Sequence, residues 1–567
     1  MNQNMRLMLA IGISAVIMIT FFVVQEKLTP KAVPQTYTTN APASMPAAAA
    51  PVTFGTNAPS VRPLAVFGVQ SIALENDRVR AEFSSADAVL TSYKLKKYSM
   101  LSGEPVEMVD RVLNGIYPFY TSFSDLSNSI APHTPVAYGV AERSSNRIVF
   151  IADVSVNGTP LRMKKSFTLL SNDFLIDTEL SFENLSGSQV SVPYAIFTGS
   201  GLGPYRPKNE RTPDDVVKAS WLKLGKKDKD DLLSGREQQL KYKPVAGPKE
   251  WVAVENRYFA IFLSPPKSDY FAESATLPDP KIAQDIDGHQ IVNYLAAVSL
   301  APRQVIVEKY SAYLGPKKRT ALPEYGRNYD FIFKEYFIIP GLNIRPLTYA
   351  MNWILDWFYK FTKDYAWAII LFTLIYKIIT FPLSQASYNS MKKMSMLNPR
   401  IESMKQQFKN DAQRLNQEMM ALYKKEKVNP LGGCLPMLLP FPILIGFFYM
   451  MQNMVELRNA SFLWIKDLTS PDRLMTISGF DVNLLPILMT ATSFLMTVLT
   501  PKSGTGEQAQ QMKVFSYILP LVFLFLLYNM ASGLVLYWTL MNLLSLPQQM
   551  YTNYFRKEKL VTVTVKK

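Results

Sequence analysis

Lys377 is the residue that asks most of its surroundings. It stands inside the apolar run Ala366 to Leu383, where a charged side chain costs roughly 2.5–3.5 kcal/mol on insertion scales. Thr373, Thr380 and Ser384 fall at i−4, i+3 and i+7 from it, so the four share one helix face. Apart from Tyr376 the rest of the run is apolar. A cation among hydroxyls can hold water and an acidic or polar group inside a bilayer. It has none of the partners that bond-breaking chemistry needs. Snorkelling is the competing explanation: Lys377 lies about seven residues, or roughly 10 Å, from the end of the run. That reading leaves the hydroxyl face without a purpose.

Two later apolar runs repeat the theme. Thr490, Ser493 and Thr497 form one polar stripe, and Trp538, Asn542 and Ser545 form another. A single stripe of this kind is explained by hydrogen bonding between helices. Stripes that face one another would instead line a polar cavity. Pro382 and a basic segment follow Lys377 directly, so such a cavity would open towards the cytoplasm.

Other chemistries are poorly supplied. The chain has one cysteine, Cys434, and two histidines, His133 and His289. No internal disulfide and no cysteine-based metal site can form, and both histidines read as surface or loop residues. No nucleotide-binding motif of the Walker type occurs. The expectation is a protein without catalytic residues, metal or cofactor, and not an enzyme.

The 567 residues are 48% hydrophobic, with a mean hydropathy near zero and a formal charge of +15. This suits a chain half in lipid and half in water. Residues 1–6 read as a short cytoplasmic tail and 7–24 as a retained first transmembrane anchor. Residues 25–63, rich in Pro, Ala and Thr, read as a flexible linker. From 64 to 340 the pattern is strand-like: Ile176, Thr178, Leu180 and Phe182 alternate with Leu175, Asp177, Glu179 and Ser181. Further strands are expected around 148–156, 252–263, 290–299 and 304–313, with Lys208 to Lys249 as an exposed excursion. Many short strands without helices predict an all-β sandwich.

Residues 343–363 place Leu347, Met351, Ile354, Leu355, Phe358 and Phe361 at helical spacing, with Trp353 and Trp357 beside them. This predicts an amphipathic helix in a membrane interface. Five spans are then expected at 366–383, 432–451, 484–499, 514–530 and 534–550. Charge sets their direction. Residues 384–429 carry nine Lys or Arg against four acids, 452–483 three against four, and the tail 551–567 five against one. Basic loops stay in the cytoplasm. Hence 384–429, the loop 500–513 and the tail are inside, while 452–483 and the β domain are in the periplasm. The fold class is a multi-domain α-helical polytopic membrane protein of six spans with a periplasmic all-β domain.

The cytoplasmic segment reads as a helical hairpin. Met391, Met394, Ile401, Met404 and Phe408 mark its first helix, and Leu415, Met419 and Leu422 its second, with a break at Asn410–Asp411. Met391, Met394, Met404 and Met419 would suit adaptable contact with varied apolar segments, or would simply pack the two helices together.

Lys427-Val-Asn-Pro-Leu-Gly-Gly-Cys434 resembles the YidC/Oxa/Albino insertases. So do Gln417–Tyr423, Val455-Glu-Leu-Arg458 and Ser532–Tyr537, and Met394–Pro399 is similar to the start of their hairpin. The resemblance runs through 343–556, and the large insert is similar to that of the long, Gram-negative-type members. It implies a β-supersandwich like galactose mutarotase in the periplasm of the inner membrane. It also implies an insertase and chaperone for nascent membrane proteins, alone or beside the Sec translocon. The family has a basic residue in a hydrophilic groove, usually Arg, and Lys377 stands there. Thr373 and Trp538 match groove-lining positions, with Tyr537 beside the latter and Asn542 further along. Pro547 departs from the pattern. The ribosome, through hairpin and basic tail, and membrane lipids would be further partners. The alternative is a small-solute transporter, for which matched broken helices would be expected; a third reading makes the β domain a sugar-binding or sugar-isomerising enzyme.

Overall fold

The computed structural model describes residues 61–64, 67–100, 102–110, 112–124, 126–203, 217–225, 230–232, 241–245, 249–266, 270–277, 289–333, 345–409, 411–426, 441–500 and 507–555. The expectations for 7–24, nearly all of 25–63, the Lys427–Cys434 motif, the first half of 432–451 and the tail beyond 555 lie outside the described residues.

Alternation builds the β domain. Leu175–Asn184 buries Ile176, Thr178, Leu180 and Phe182 and leaves Leu175, Asp177, Glu179 and Ser181 wholly or partly open. It pairs antiparallel with Thr159–Leu169 on one side and Val305–Pro316 on the other, inside a ten-stranded sheet. A five-stranded sheet runs through His289–Leu300 and Val190–Phe197, and a four-stranded one through Val79–Ser84 and Val89–Ser99. All three contribute to one core. Phe83 stacks on Phe167 at 4.6 Å between the four- and ten-stranded sheets, and Phe182 meets Tyr194 at 4.9 Å between the ten- and five-stranded sheets.

Two expectations are corrected here. The strand expected over 252–263 is two strands, Lys249–Glu255 and Phe259–Ser264, reversing at Asn256–Tyr258. The Asn256 side chain accepts hydrogen bonds from the Tyr258 and Phe259 amides at 3.0 and 2.8 Å and so makes the turn. The stretch 208–249 is not all excursion: Lys218–Lys223 pairs with Lys249–Glu255 and buries Trp221.

Eight α-helices are described after 344: α1 Arg345–Thr362, α2 Tyr365–Met396, α3 Asn398–Gln407, α4 Ala412–Lys425, α5 Phe441–Asn453, α6 Leu484–Leu499, α7 Glu507–Leu527 and α8 Ser532–Met550. Among the described residues only α2 is both long and apolar enough by itself to cross a bilayer; Leu484–Leu499 and Ser516–Leu527 are shorter apolar stretches. Asp364 caps α2 by accepting from the Ala366 and Trp367 amides. The helix continues past Leu383 to Met396, so Met391 and Met394 belong to it and not to the first hairpin helix. The break comes at Leu397, and Pro399 falls in the first turn of the next helix, where no amide hydrogen is needed. Asp411 caps α4 by accepting from the Arg414 amide at 2.9 Å. On α1 the expected face is partly displaced. Met351, Leu355 and Phe358 are buried together with Thr348 and Asn352, whereas Phe361 is 68% exposed beside Trp357. Gly446 lets α5 approach α1, since a Cβ there would meet the Met351 sulfur at 2.6 Å.

The β domain sits at one end of the helices. The turn residue Arg257 donates to the Met451 and Thr469 carbonyls at 3.2 and 3.1 Å, and Arg458 donates to the Ser99 carbonyl at 2.7 Å. Lys318 lies 3.4 Å from Glu456 and 3.9 Å from Asp356. Burial raises the Glu456 carboxyl from its ordinary range, with Lys318 pulling it back. The start of α2, the end of α5, the start of α6, the end of α7 and the start of α8 gather at this end. Tyr365 donates to Asp356, Asn483 to the Tyr528 carbonyl, and the Ser532 amide to the Ser470 carbonyl.

Candidate functional site

The site is built on α2, and its burial is inside out. Thr373, Lys377, Thr380, Ser384 and Gln385 are buried, while Leu374, Ile375, Ile378, Ile379, Phe381 and Leu383 are exposed. Lys377 is 7% exposed and Ile379 69%. In water this pattern would forfeit the hydrophobic effect twice, once by wetting the isoleucines and once by drying the ammonium. In lipid it is the stable choice.

Lys377 Nζ donates to Ser545 Oγ on α8 at 2.7 Å. Among the described residues no carboxylate lies within ion-pair distance of it. The neighbouring hydroxyls are turned to their own helix. Thr373 donates to the Ile369 carbonyl at 2.7 Å, Thr380 to Tyr376 at 2.8 Å, Ser384 to Thr380 at 2.9 Å and Ser545 to Met541 at 2.7 Å. With its proton given to the Met541 carbonyl, Ser545 Oγ accepts from Lys377 through a lone pair.

The polar seam continues towards the far end. Gln385 donates to Thr552 Oγ1 at 2.7 Å, Gln548 to the Phe381 carbonyl at 3.1 Å, and Lys392 to the Thr552 and Asn553 carbonyls at 2.6 and 2.9 Å. Gln385, Gln548 and Thr552 were missed by sequence reasoning. The signal was there: Gln548 and Thr552 extend the Asn542–Ser545 stripe beyond Pro547.

The expected groove residues do not all meet. Asn542 turns to α6, donating to Ser493 Oγ at 2.8 Å and Thr492 Oγ1 at 3.2 Å. Thr497 bridges to α7 through the Ser516 carbonyl at 3.4 Å. The second stripe thus serves helix pairing, and α8 carries one polar edge to α6 and another to Lys377. Tyr537 is 1% exposed, stacks on Phe447 at 4.5 Å, and has no hydrogen-bond partner for its hydroxyl among the described residues. Trp538 is half-buried against Phe523 at 4.8 Å.

At the hairpin, Met394 and Met419 pack with Leu397, Ile401 and Tyr423, whereas Met391 and Met404 are half-buried outside that cluster. His133 lies against Asp87 at 2.8 Å, and His289 against the Ser200 carbonyl at 3.2 Å. No group of three metal-binding side chains occurs among the described residues.

A β domain set on one end of helices that bury a lysine in a polar seam and expose isoleucine, leucine and phenylalanine defines an integral membrane protein with a large domain at one face. Residues 71–367 match the family model described as YidC periplasmic domain, and 357–559 that described as 60Kd inner membrane protein. The membrane protein insertase YidC of Syntrophobacter fumaroxidans is 32% identical over 510 residues, covering 85% of this chain and 86% of that one. The YidC of Chlorobaculum parvum is 29% identical over 516 residues, covering 85% and 82%. A crystal structure of an active YidC insertase with its first transmembrane domain resolved is 17% identical, covers 88% of this chain and 95% of its own, and has a TM-score of 0.34. The chain belongs to the YidC family of membrane protein insertases, proteins of the inner membrane with a periplasmic domain.

Proposed function

We propose that this chain inserts newly made membrane proteins into the inner membrane by offering them the Lys377 seam as a polar way station. The observation that carries the reading is a buried ammonium held by a neutral hydroxyl, on a helix whose other faces are exposed isoleucine, leucine and phenylalanine. Such a charge is left partly unsatisfied and attracts the acidic or polar flank of an incoming segment. At an effective dielectric near 20, two unit charges 4 Å apart attract by about 4 kcal/mol. The apolar part of the substrate then moves into lipid, driven by its own transfer energy, and no nucleotide is consumed.

Six spans fit this reading. Five apolar segments follow the β domain, their connections alternate in charge, and their ends gather alternately beside and away from that domain. The groove is then hydrated from the cytoplasm, and the hairpin α3–α4 receives the substrate there. The Sec translocon for larger substrates, and the ribosome through hairpin and basic tail, are partners in this scheme.

The test is photo-crosslinking of a stalled nascent chain. A crosslinker at Thr380 or Ser384 captures the polar flank of the chain's first apolar segment, and one at Ile379 captures mainly lipid. Equal capture at all three positions contradicts the reading.

A further inference from the structure

The segment between α5 and α6 ends in a small β-hairpin, Met475–Ile477 paired with Phe480–Val482. Its turn residues Ser478 and Gly479 both have positive φ, 50° and 81°, the geometry of the tightest two-residue turn. Opposed residues share a face, and the register is Met475 with Val482, Thr476 with Asp481, Ile477 with Phe480. One face is therefore wholly apolar. The other is polar and satisfied: Thr476 donates to Asp481 Oδ1 at 2.7 Å, and Arg473 lies 3.1 Å from Asp481 Oδ2.

A lone two-stranded hairpin is marginal in water, and this one leaves Met475 51%, Ile477 56% and Phe480 64% exposed. What surrounds its base identifies the cover. Asn483 leads directly into α6 and donates to the Tyr528 carbonyl at 2.7 Å, just past the end of α7. The Tyr528 hydroxyl donates to the Asp481 carbonyl at 2.9 Å, and its ring lies 5.8 Å from Phe480. The hairpin's apolar face thus leads into the outward apolar surface of α6 and α7, where Ile487 is 43% and Phe525 81% exposed. Neither α6 nor α7 from Val514 onward contains a charged residue, and the hairpin's own charges are on its opposite face.

We propose that this hairpin is a lipid-seated finger. Its Met475, Ile477 and Phe480 face lies among the upper acyl chains of the outer leaflet, and Thr476, Asp481 and Arg473 face the periplasmic water. This rests on reading α6 and α7 as membrane-spanning. The finger fixes how deeply their periplasmic ends sit, as an amphipathic anchor does.

The test uses the full chain with Cys434→Ser, reconstituted in phosphatidylethanolamine and phosphatidylglycerol vesicles containing spin-labelled lipids. Single cysteines at Ile477, Thr476 and Ile379 carry an environment-sensitive NBD dye. Quenching at 477 by a label near the head groups is expected to exceed that at 476 by about twofold or more, as for a shallowly seated face. Position 379 should be quenched best by a label deep in the chains. If 379 is quenched and 477 behaves as 476 does, the finger is overturned while the membrane reading stands. If 379 itself escapes quenching, the membrane reading fails and the finger with it. A dye at 477 that reports apolar surroundings without lipid quenching identifies a protein cover, such as a second copy, and also overturns the proposal.

Discussion

Lys317 and Lys377 are both buried, at 4% and 7% exposure, and they are held in opposite ways. Lys317, in the β domain, has Glu255 at 2.7 Å and the Asn256 carbonyl at 2.8 Å, and Glu255 in turn accepts from Ser220 at 2.5 Å. Burial pushes the Lys317 ammonium down, helped by Lys218, Arg319 and Arg257, and Glu255 stands beside it as its ion-pair partner. Lys377 has a serine hydroxyl in place of a carboxylate. The Lys317 charge therefore has a counter-ion within contact, and the Lys377 charge has a neutral oxygen.

The comparison breaks most readily at Glu255. Glu255→Gln strands the Lys317 ammonium and should cost about 3–5 kcal/mol of stability, the usual penalty for half a buried pair. Chemical unfolding in detergent, followed by circular dichroism, measures it. A loss under about 1 kcal/mol would make Lys317 no better neutralised than Lys377. Lys377→Glu should leave that unfolding curve in place and reduce insertion of a substrate with an acidic translocated tail at least about tenfold, equivalent to about 1.4 kcal/mol. Protease protection of the tail is the readout. Lys377→Arg keeps the charge and should stay within about twofold of the parent.

A third buried lysine stands between the two: Lys165 is in the β domain, yet neutral carbonyls hold it. Burial lowers the Lys165 ammonium to about 7, although its Nζ donates to the Asp87 and Phe119 carbonyls at 2.6 and 3.1 Å. Between about 7 and the ordinary 10.5 the unfolded chain binds a proton here that the folded chain does not. Unfolding then takes up a proton, so stability rises with pH across that window, by at most about 1.4 kcal/mol per pH unit. Lys165→Met should lack this share of the rise, and parallel pH–stability curves for parent and variant would contradict it.

What the sequence revealed depended on whether the pattern was local. Period two at 175–184 and the Lys377–Ser384 face were legible because each lies on a single element. The turn at Asn256–Tyr258 was not, because apolar residues flank it on both sides and only the Asn256 side chain marks it. The separation of Asn542 from Lys377 was hidden for another reason. Asn542 and Ser545 lie close together on α8, and only packing shows that one bonds to α6 and the other to α2. The hairpin boundary moved because Met391 and Met394 keep helical spacing across the end of the apolar run, and the next helix starts only at Asn398, with Pro399 in its first turn.

The account turns on whether water reaches the Lys377 face of α2 from the cytoplasmic side. In a Cys434→Ser background, single cysteines at Thr373, Lys377 and Ile379 would be challenged in inverted membrane vesicles with a charged, membrane-impermeant thiol reagent. Modification at 373 and 377, with 379 protected, is the predicted result. Protection at 373 and 377 alike, as at 379, would contradict it.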